Sequence, residues 1–200
     1  MKNSITAAAI AACTLFSIST ATAQQTTKGK RPAFGKGSGT LGISVGFGVD
    51  YDYKRDARPI PAIAVYYDRG IIGNVGPGTI GIGGMVGVKM ATYNYSGGRY
   101  KASWADYIVA FRATYHLTIL KNRNNKFDPY AGITIGGRFS EYRDDFNSAF
   151  VPAVYHTGVH PVLGAFIGAK YNFSRNVGVF TELGYDISLV RFGLCFNNGK

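Results

Sequence analysis

Cysteine is almost missing from this 200-residue chain. Its two copies are Cys13 and Cys195, and the first falls in an N-terminal segment expected to be removed. A mature chain holding Cys195 alone forms no internal disulfide. Cys195 therefore reads as a small residue inside the fold rather than a reactive thiol. Long apolar runs are missing too. Beyond the N-terminal segment, no stretch offers the roughly 18 apolar residues of a spanning helix. Charge is sparse at 16%, and acids are scarcest: 11 against 22 Lys and Arg, a formal net charge of +11. That balance suits an anionic partner, but no basic helix, zinc-finger spacing or RNP-like motif accompanies it, so no nucleic acid is expected as a partner. No G-x-x-x-x-G-K-[ST] loop or metal-ligand spacing occurs, so no cofactor and no metal are expected, and no catalytic residues are expected either.

What is present is glycine, 27 residues, and aromatic side chains at 14%. This composition suits many short strands and turns, all-β rather than helical. The N-terminus has the parts of an export signal: Lys2, an apolar run from Ile5 to Ile18, and Ala21-Thr-Ala23 as a cleavage site. Cleavage near Ala23 makes residues 1–23 a signal peptide. An alternative is lipidation at Cys13, within Ile10-Ala-Ala-Cys13, although the apolar run continues past it. Residues 24–38 are polar and basic and are expected to form a flexible lead-in. The barrel proper is expected over 39–197, with 198–200 as a tail.

Side chains alternate across a strand, and this alternation repeats eight times. The expected strands are about 40–51, 61–68, 79–93, 104–119, 128–141, 162–173, 177–185 and 190–196. In each, one face is aliphatic: Leu41, Ile43, Val45 and Phe47 in the first, Tyr107, Val109, Phe111 and Tyr115 in the fourth. The opposite face holds Gly, Ala, Ser and Thr plus isolated charges. The hairpin-length connections favour an antiparallel meander. A soluble barrel would turn the aliphatic faces inward, around a small apolar ligand. A transmembrane barrel turns them to lipid.

The charges favour lipid. Asp50, Lys89, Arg112, Arg138, Lys170, Glu182 and Arg191 all fall on the small-residue face and are expected to form a polar network inside the barrel. A lipid-facing cation near the midplane would cost about 2–4 kcal/mol. Aromatics gather at the strand ends. Tyr67, Tyr115, Tyr130, Tyr171 and Phe196 are expected at one membrane interface, and Tyr51, Tyr93, Trp104, Tyr107, Phe139 and Tyr185 at the other. Ten tilted residues cover about 23 Å, close to an apolar band of about 25 Å.

Three segments carry a further likeness: Tyr115-His116, Phe127-Asp-Pro-Tyr-Ala-Gly-Ile133, and Glu182-Leu-Gly-Tyr185 with its closing strand ending in Phe196. On these the chain resembles the small outer-membrane β-barrel proteins of Gram-negative bacteria, the OmpA/OmpX-like group. The resemblance spans about residues 40–196. It implies an eight-stranded up-and-down transmembrane barrel in the outer membrane, with lipid and lipopolysaccharide as surroundings. It also implies contact with the barrel-assembly machinery through the C-terminal strand. The chain departs from the group where Asn197-Asn-Gly-Lys200 follows Phe196. The expected role is structural or surface-interacting, without a large pore, because side chains fill an eight-stranded lumen. Loops 52–59, 94–103 and 142–160 are the expected contact sites for an extracellular partner. The alternative is a lipid-modifying enzyme using His116, His156 or His160 with a serine.

Overall fold

The computed structural model describes residues 33–48, 57–118, 126–145 and 155–198, with the backbone alone at 155–157. The export signal, most of the lead-in, Asp50, the rest of the first loop and residues 199–200 lie outside the described residues. Eight strands follow in chain order: β1 (Gly39–Phe47), β2 (Arg58–Val75), β3 (Gly78–Tyr95), β4 (Tyr100–Leu117), β5 (Phe127–Asp144), β6 (Tyr155–Asn172), β7 (Val177–Tyr185) and β8 (Val190–Asn198). Each pairs antiparallel with the next. The ring closes between β1 and β8, with Leu41 opposite Phe196 and Ile43 opposite Leu194. Closure removes the exposed sheet edge over the shared height of the strands.

The alternation sorts the two faces. Phe111 is 76% exposed and Leu163 74%, and Ile63, Val109, Ile133, Ile135, Ile167, Leu183 and Phe192 also point outward. The inward face holds Lys89, Arg112, Arg138, Lys170, Glu182 and Arg191, all buried. A continuous apolar exterior around a charged interior suits hydrocarbon, because closed strands satisfy their backbone groups internally. It is the opposite of what a soluble barrel around an apolar ligand requires.

The strands are unequal. β2 to β6 have 18 residues each, whereas β1, β7 and β8 have 9. All the short strands end at one level. Pairing of β6 with β7 stops at Ala165–Tyr185, while β6 pairs with β5 as far as Tyr155–Arg143. The sheet β3–β6 therefore rises as a wall at the end opposite the chain termini, the distal end. Ten residues of β6, Tyr155–Gly164, lie beyond its last pair with β7, and at about 3.3 Å each and the usual tilt they add roughly 23 Å of height.

This wall corrects two expected loops. The connection expected at 94–103 is a four-residue turn between Tyr95 and Tyr100, in which Ser96, Gly97 and Gly98 all take positive φ. In the expected loop 142–160, residues 142–144 and 155–160 are strand. Arg58 and Pro59, assigned to the first loop, open β2. β2 also runs past Asp68, because register shifts at Gly70/Ile72 and Ile72/Val75 break the two-residue period that marks a strand in sequence.

The described end of the lead-in is packed rather than loose. Residues 33–38 fold into the open end beside the termini, with Gly37 N–H donating to Gly70 O at 2.8 Å and Gly70 N–H to Ser38 O at 2.9 Å. Phe34 enters the lumen and is 1% exposed. It is an apolar ring in a polar run, and the barrel mouth is where it escapes water.

Candidate functional site

The interior is built from inward positions on non-adjacent strands, brought together by barrel curvature. Glu182 on β7 lies at the centre. Its Oε1 accepts from Arg112 Nη2 at 2.7 Å and from the Tyr130 hydroxyl at 2.8 Å. Its Oε2 accepts from Arg191 Nε at 2.9 Å and from Arg191 Nη2. Arg112 also reaches Asp68 through Nε at 3.3 Å, and Arg191 Nη2 reaches Asp186 at 3.2 Å. The Arg112 guanidinium lies between the rings of Tyr66 and Phe166, 4.4 and 4.3 Å from their centroids. Glycine makes that packing possible: a Cβ at Gly42 would strike the Tyr66 ring, and one at Gly132 the Phe166 ring.

Toward the termini a second group forms. Lys170 Nζ is 3.0 Å from Asp128 and donates to Thr40 Oγ1 at 3.1 Å. His116 Nδ1 lies 2.9 Å from Asp128, and Nε2 lies 3.2 Å from Thr114 Oγ1. Hydroxyl, imidazole and carboxylate are thus in the order of a nucleophile, base and orienting acid. However, Phe34 stacks on the imidazole at 3.7 Å, and His116 is 1% exposed. A lipid chain outside the barrel does not reach it. Toward the distal end a third group holds Lys89, Asp106, Arg138 and Ser140. Asp106 lies 3.9 Å from Arg138 and accepts from the Ser140 hydroxyl.

Among the described residues, five buried acids (Asp68, Asp106, Asp128, Glu182, Asp186) face five buried bases (Lys89, Arg112, Arg138, Lys170, Arg191). The sequence reading counted too few inward acids. Asp68, Asp106 and Asp128 share the inward parity of their strands, so alternation alone would have found them. Asp186 sits in the β7–β8 turn, where parity gives no signal. Phe34 was also missed as an interior group.

Seven of the expected interface aromatics point outward: Tyr67, Tyr115, Tyr171 and Phe196 toward the termini, Tyr107, Phe139 and Tyr185 toward the distal end. On β4, Tyr107 and Tyr115 are eight residues apart, about 26 Å of strand. Three expectations are corrected, and Tyr51 lies outside the described residues. Tyr130 lies inside, because it has inward parity and its hydroxyl finds Glu182. Trp104 has the parity of the buried Ala102 and Asp106, and Tyr93 that of the buried Lys89 and Ala91, so both belong to the inner face of the wall.

That inner face is aromatic. Trp104 packs on Tyr142 with centroids 5.2 Å apart, Tyr93 on Tyr95 at 5.9 Å, and Tyr95 on Tyr100 at 5.6 Å. All five are half-buried. Asp144 ties them together, accepting from Tyr95 at 2.5 Å and Tyr142 at 2.9 Å. The hydrogen bond to Asp144 pushes the Tyr95 hydroxyl up to about 12. On the opposite face, Lys101 of β4 and Arg143 of β5 are exposed, as is Arg58 at the start of the neighbouring β2.

An apolar exterior, two aromatic levels and a lumen filled with ion pairs define a small membrane-spanning β-barrel of the outer-membrane type. Solved structures of similar fold include the attachment invasion locus protein Ail of Yersinia pestis, in complex with the heparin analogue sucrose octasulfate. That match has 16% identity and a TM-score of 0.47, over 82% of this chain and 95% of that one. The N-terminal β-barrel domain of Pseudomonas aeruginosa OprF matches with 12% identity and a TM-score of 0.45, over 82% and 99%. These are likenesses of fold alone. No protein-family model and no curated protein matches the chain.

Proposed function

We propose that the protein is exported by cleavage near Ala23 and serves the outer membrane as a non-enzymatic surface-interaction protein. The observation that carries this is the wall β3–β6, which continues beyond β1, β7 and β8 while the termini end carries the shorter strand ends. A barrel inserted from the periplasm keeps both termini on that side and extends its longer elements outside. The wall is then the extracellular part. Exposed Lys101 and Arg143 on its outward face, with Arg58 on the neighbouring β2, suit phosphate groups of lipopolysaccharide by charge. The closing strand β8, with Phe196 outward opposite Leu41, is the segment offered to the assembly machinery. The ion-paired lumen speaks for a plug rather than a pore, since a buried charge keeps its place only when paired.

The test is fractionation combined with surface proteolysis. The protein is expected in the outer-membrane fraction, soluble only in detergent, and as a band whose mobility changes on heating. In intact cells, protease should cut the connections at the distal end and spare the turn at 173–176. Cutting only at 173–176 would reverse the orientation. Recovery in the aqueous fraction would overturn the membrane assignment itself.

A further inference from the structure

We propose that the inner face of the wall, formed by Tyr93, Tyr95, Tyr100, Trp104 and Tyr142, binds carbohydrate, and that its ligands are uncharged pyranose chains. The proposal rests on the distal end lying outside the cell. Five half-exposed rings from three adjacent strands line one face of a sheet, with neighbouring centroids 5.2 to 5.9 Å apart. An aromatic ring carries negative charge density on its faces, which attracts the polarised C–H groups on the flat side of a pyranose. Tyrosine and tryptophan supply that contact area with little conformational freedom to lose. Sugar hydroxyls need acceptors beside the rings. Asp144 places a carboxylate acceptor beside the rings, where it holds two tyrosine hydroxyls.

Charge selects the class of saccharide. Asp144 is negative at the level of the rings, while Lys101 and Arg143 stand on the other side of the sheet and Arg99 is exposed in the turn at its tip. Below the rings, Arg138 lies beside Asp106. A sulfated or phosphorylated chain laid on these rings would meet a carboxylate first. An uncharged chain has no such penalty.

The site carries its own reporter, because Trp104 is the one tryptophan of the chain. The full-length protein in phospholipid nanodiscs free of lipopolysaccharide would be titrated with maltohexaose, cellohexaose and chitohexaose, with heparin as the sulfated comparator. The expected result is a saturable change in tryptophan emission with at least one neutral oligosaccharide. Tyr95→Ala and Tyr100→Ala should weaken it at least tenfold while the heat-modifiable band persists. Lys101→Ala should leave it unchanged. A response to heparin alone, no saturable response to any of the neutral chains, or equal binding by the tyrosine variants would each overturn the proposal. Protease access to the distal end in intact cells separates the two readings: where access is seen and no neutral chain binds, only the carbohydrate assignment falls.

Discussion

Arg112 and Glu182 come from strands that are not neighbours, yet their side chains meet at 2.7 Å in the middle of the lumen, and each is 2% exposed. The contact links two sides of the ring through its centre. It also organises the groups around it, since Glu182 accepts from Arg191 and Tyr130 while Arg112 donates to Asp68.

Glu182→Ala should therefore lower the unfolding midpoint in denaturant while the barrel still inserts. Removing one partner of a buried ionic network leaves a stranded charge, at a cost of about 3–5 kcal/mol. Here two guanidinium groups lose the acceptor they share, and Arg112 keeps only Asp68 and Arg191 only Asp186 among their carboxylates. Glu182→Gln should fall between, because it keeps a carbonyl acceptor and loses the charge. Arg175→Ala, at an exposed position, should shift the midpoint little. Equal shifts for Glu182→Ala and Arg175→Ala, read by intrinsic fluorescence, would contradict the central role of Glu182.

Phe111→Arg should block insertion into lipid vesicles, whereas Phe111→Leu inserts. Phe111 is the most exposed large apolar residue among the described residues and lies opposite Gly84 and Ile135 in the apolar band. A cation near the midplane costs about 2–4 kcal/mol. Thr114→Arg fails differently. Thr114 is buried against His116, so a longer side chain overpacks the interior and lowers stability after insertion. The heat-modifiable band, scored for all three variants, distinguishes the two outcomes.

Purified protein in planar bilayers should open no large, stable channel. The cross-section is occupied by Arg112, Glu182, Arg191, Tyr66 and Phe166, and an eight-stranded barrel has room for side chains but not for an aqueous path as well. Reproducible nanosiemens-scale steps would contradict the plugged lumen.

Much of this architecture was legible because a two-residue period needs no knowledge of neighbours. Lys89, Arg112 and Lys170 are inward simply by parity with the small residues around them. Contacts were not legible: Asp68 on β2 meets Arg112 on β4 only because the sheet curls, and no spacing in sequence encodes the curl. Trp104 shows a different limit. Its place near a strand end suggested the lipid interface, but the strand continues past the membrane as part of the wall, and parity turns the indole inward there. Phe34 gave almost no signal, being one ring in a polar stretch whose destination is set by the barrel mouth.

At the tip of the wall, the tie between Tyr95 and Asp144 should be insensitive to pH through the neutral range. The Tyr95 hydroxyl is pushed up to about 12 by the hydrogen bond it donates to Asp144, against an ordinary value of about 10. A raised folded value means the contribution is fully present below about 10 and is lost as pH rises through about 12. The absorbance of phenolate, followed in alkaline titration of wild type minus Tyr95→Phe, should show one tyrosine ionising above the exposed ones. Its appearance among the exposed tyrosines would mean that the hydrogen bond does not hold in solution.

Phe34→Ala should uncover His116. The ring of Phe34 lies flat on the imidazole at 3.7 Å and 4.6 Å from Lys170 Nζ, and it closes the lumen at the termini end. Truncating a fully buried phenylalanine removes about 3–5 kcal/mol of packing where the site does not collapse. The backbone bonds of Gly37 and Ser38 to Gly70 should hold the strap nearby. The barrel itself should survive, since no strand pairing involves residue 34. Diethyl pyrocarbonate, which acylates accessible imidazoles, reads the result. His160 is exposed and serves as the internal standard. In wild type, His116 should react far more slowly than His160. In Phe34→Ala its rate should rise at least tenfold, with Phe34→Leu between, while the heat-modifiable band is retained. An unchanged His116 rate in a folded Phe34→Ala barrel would mean that the ion-paired groups around Asp128, not the strap, keep water and reagent out.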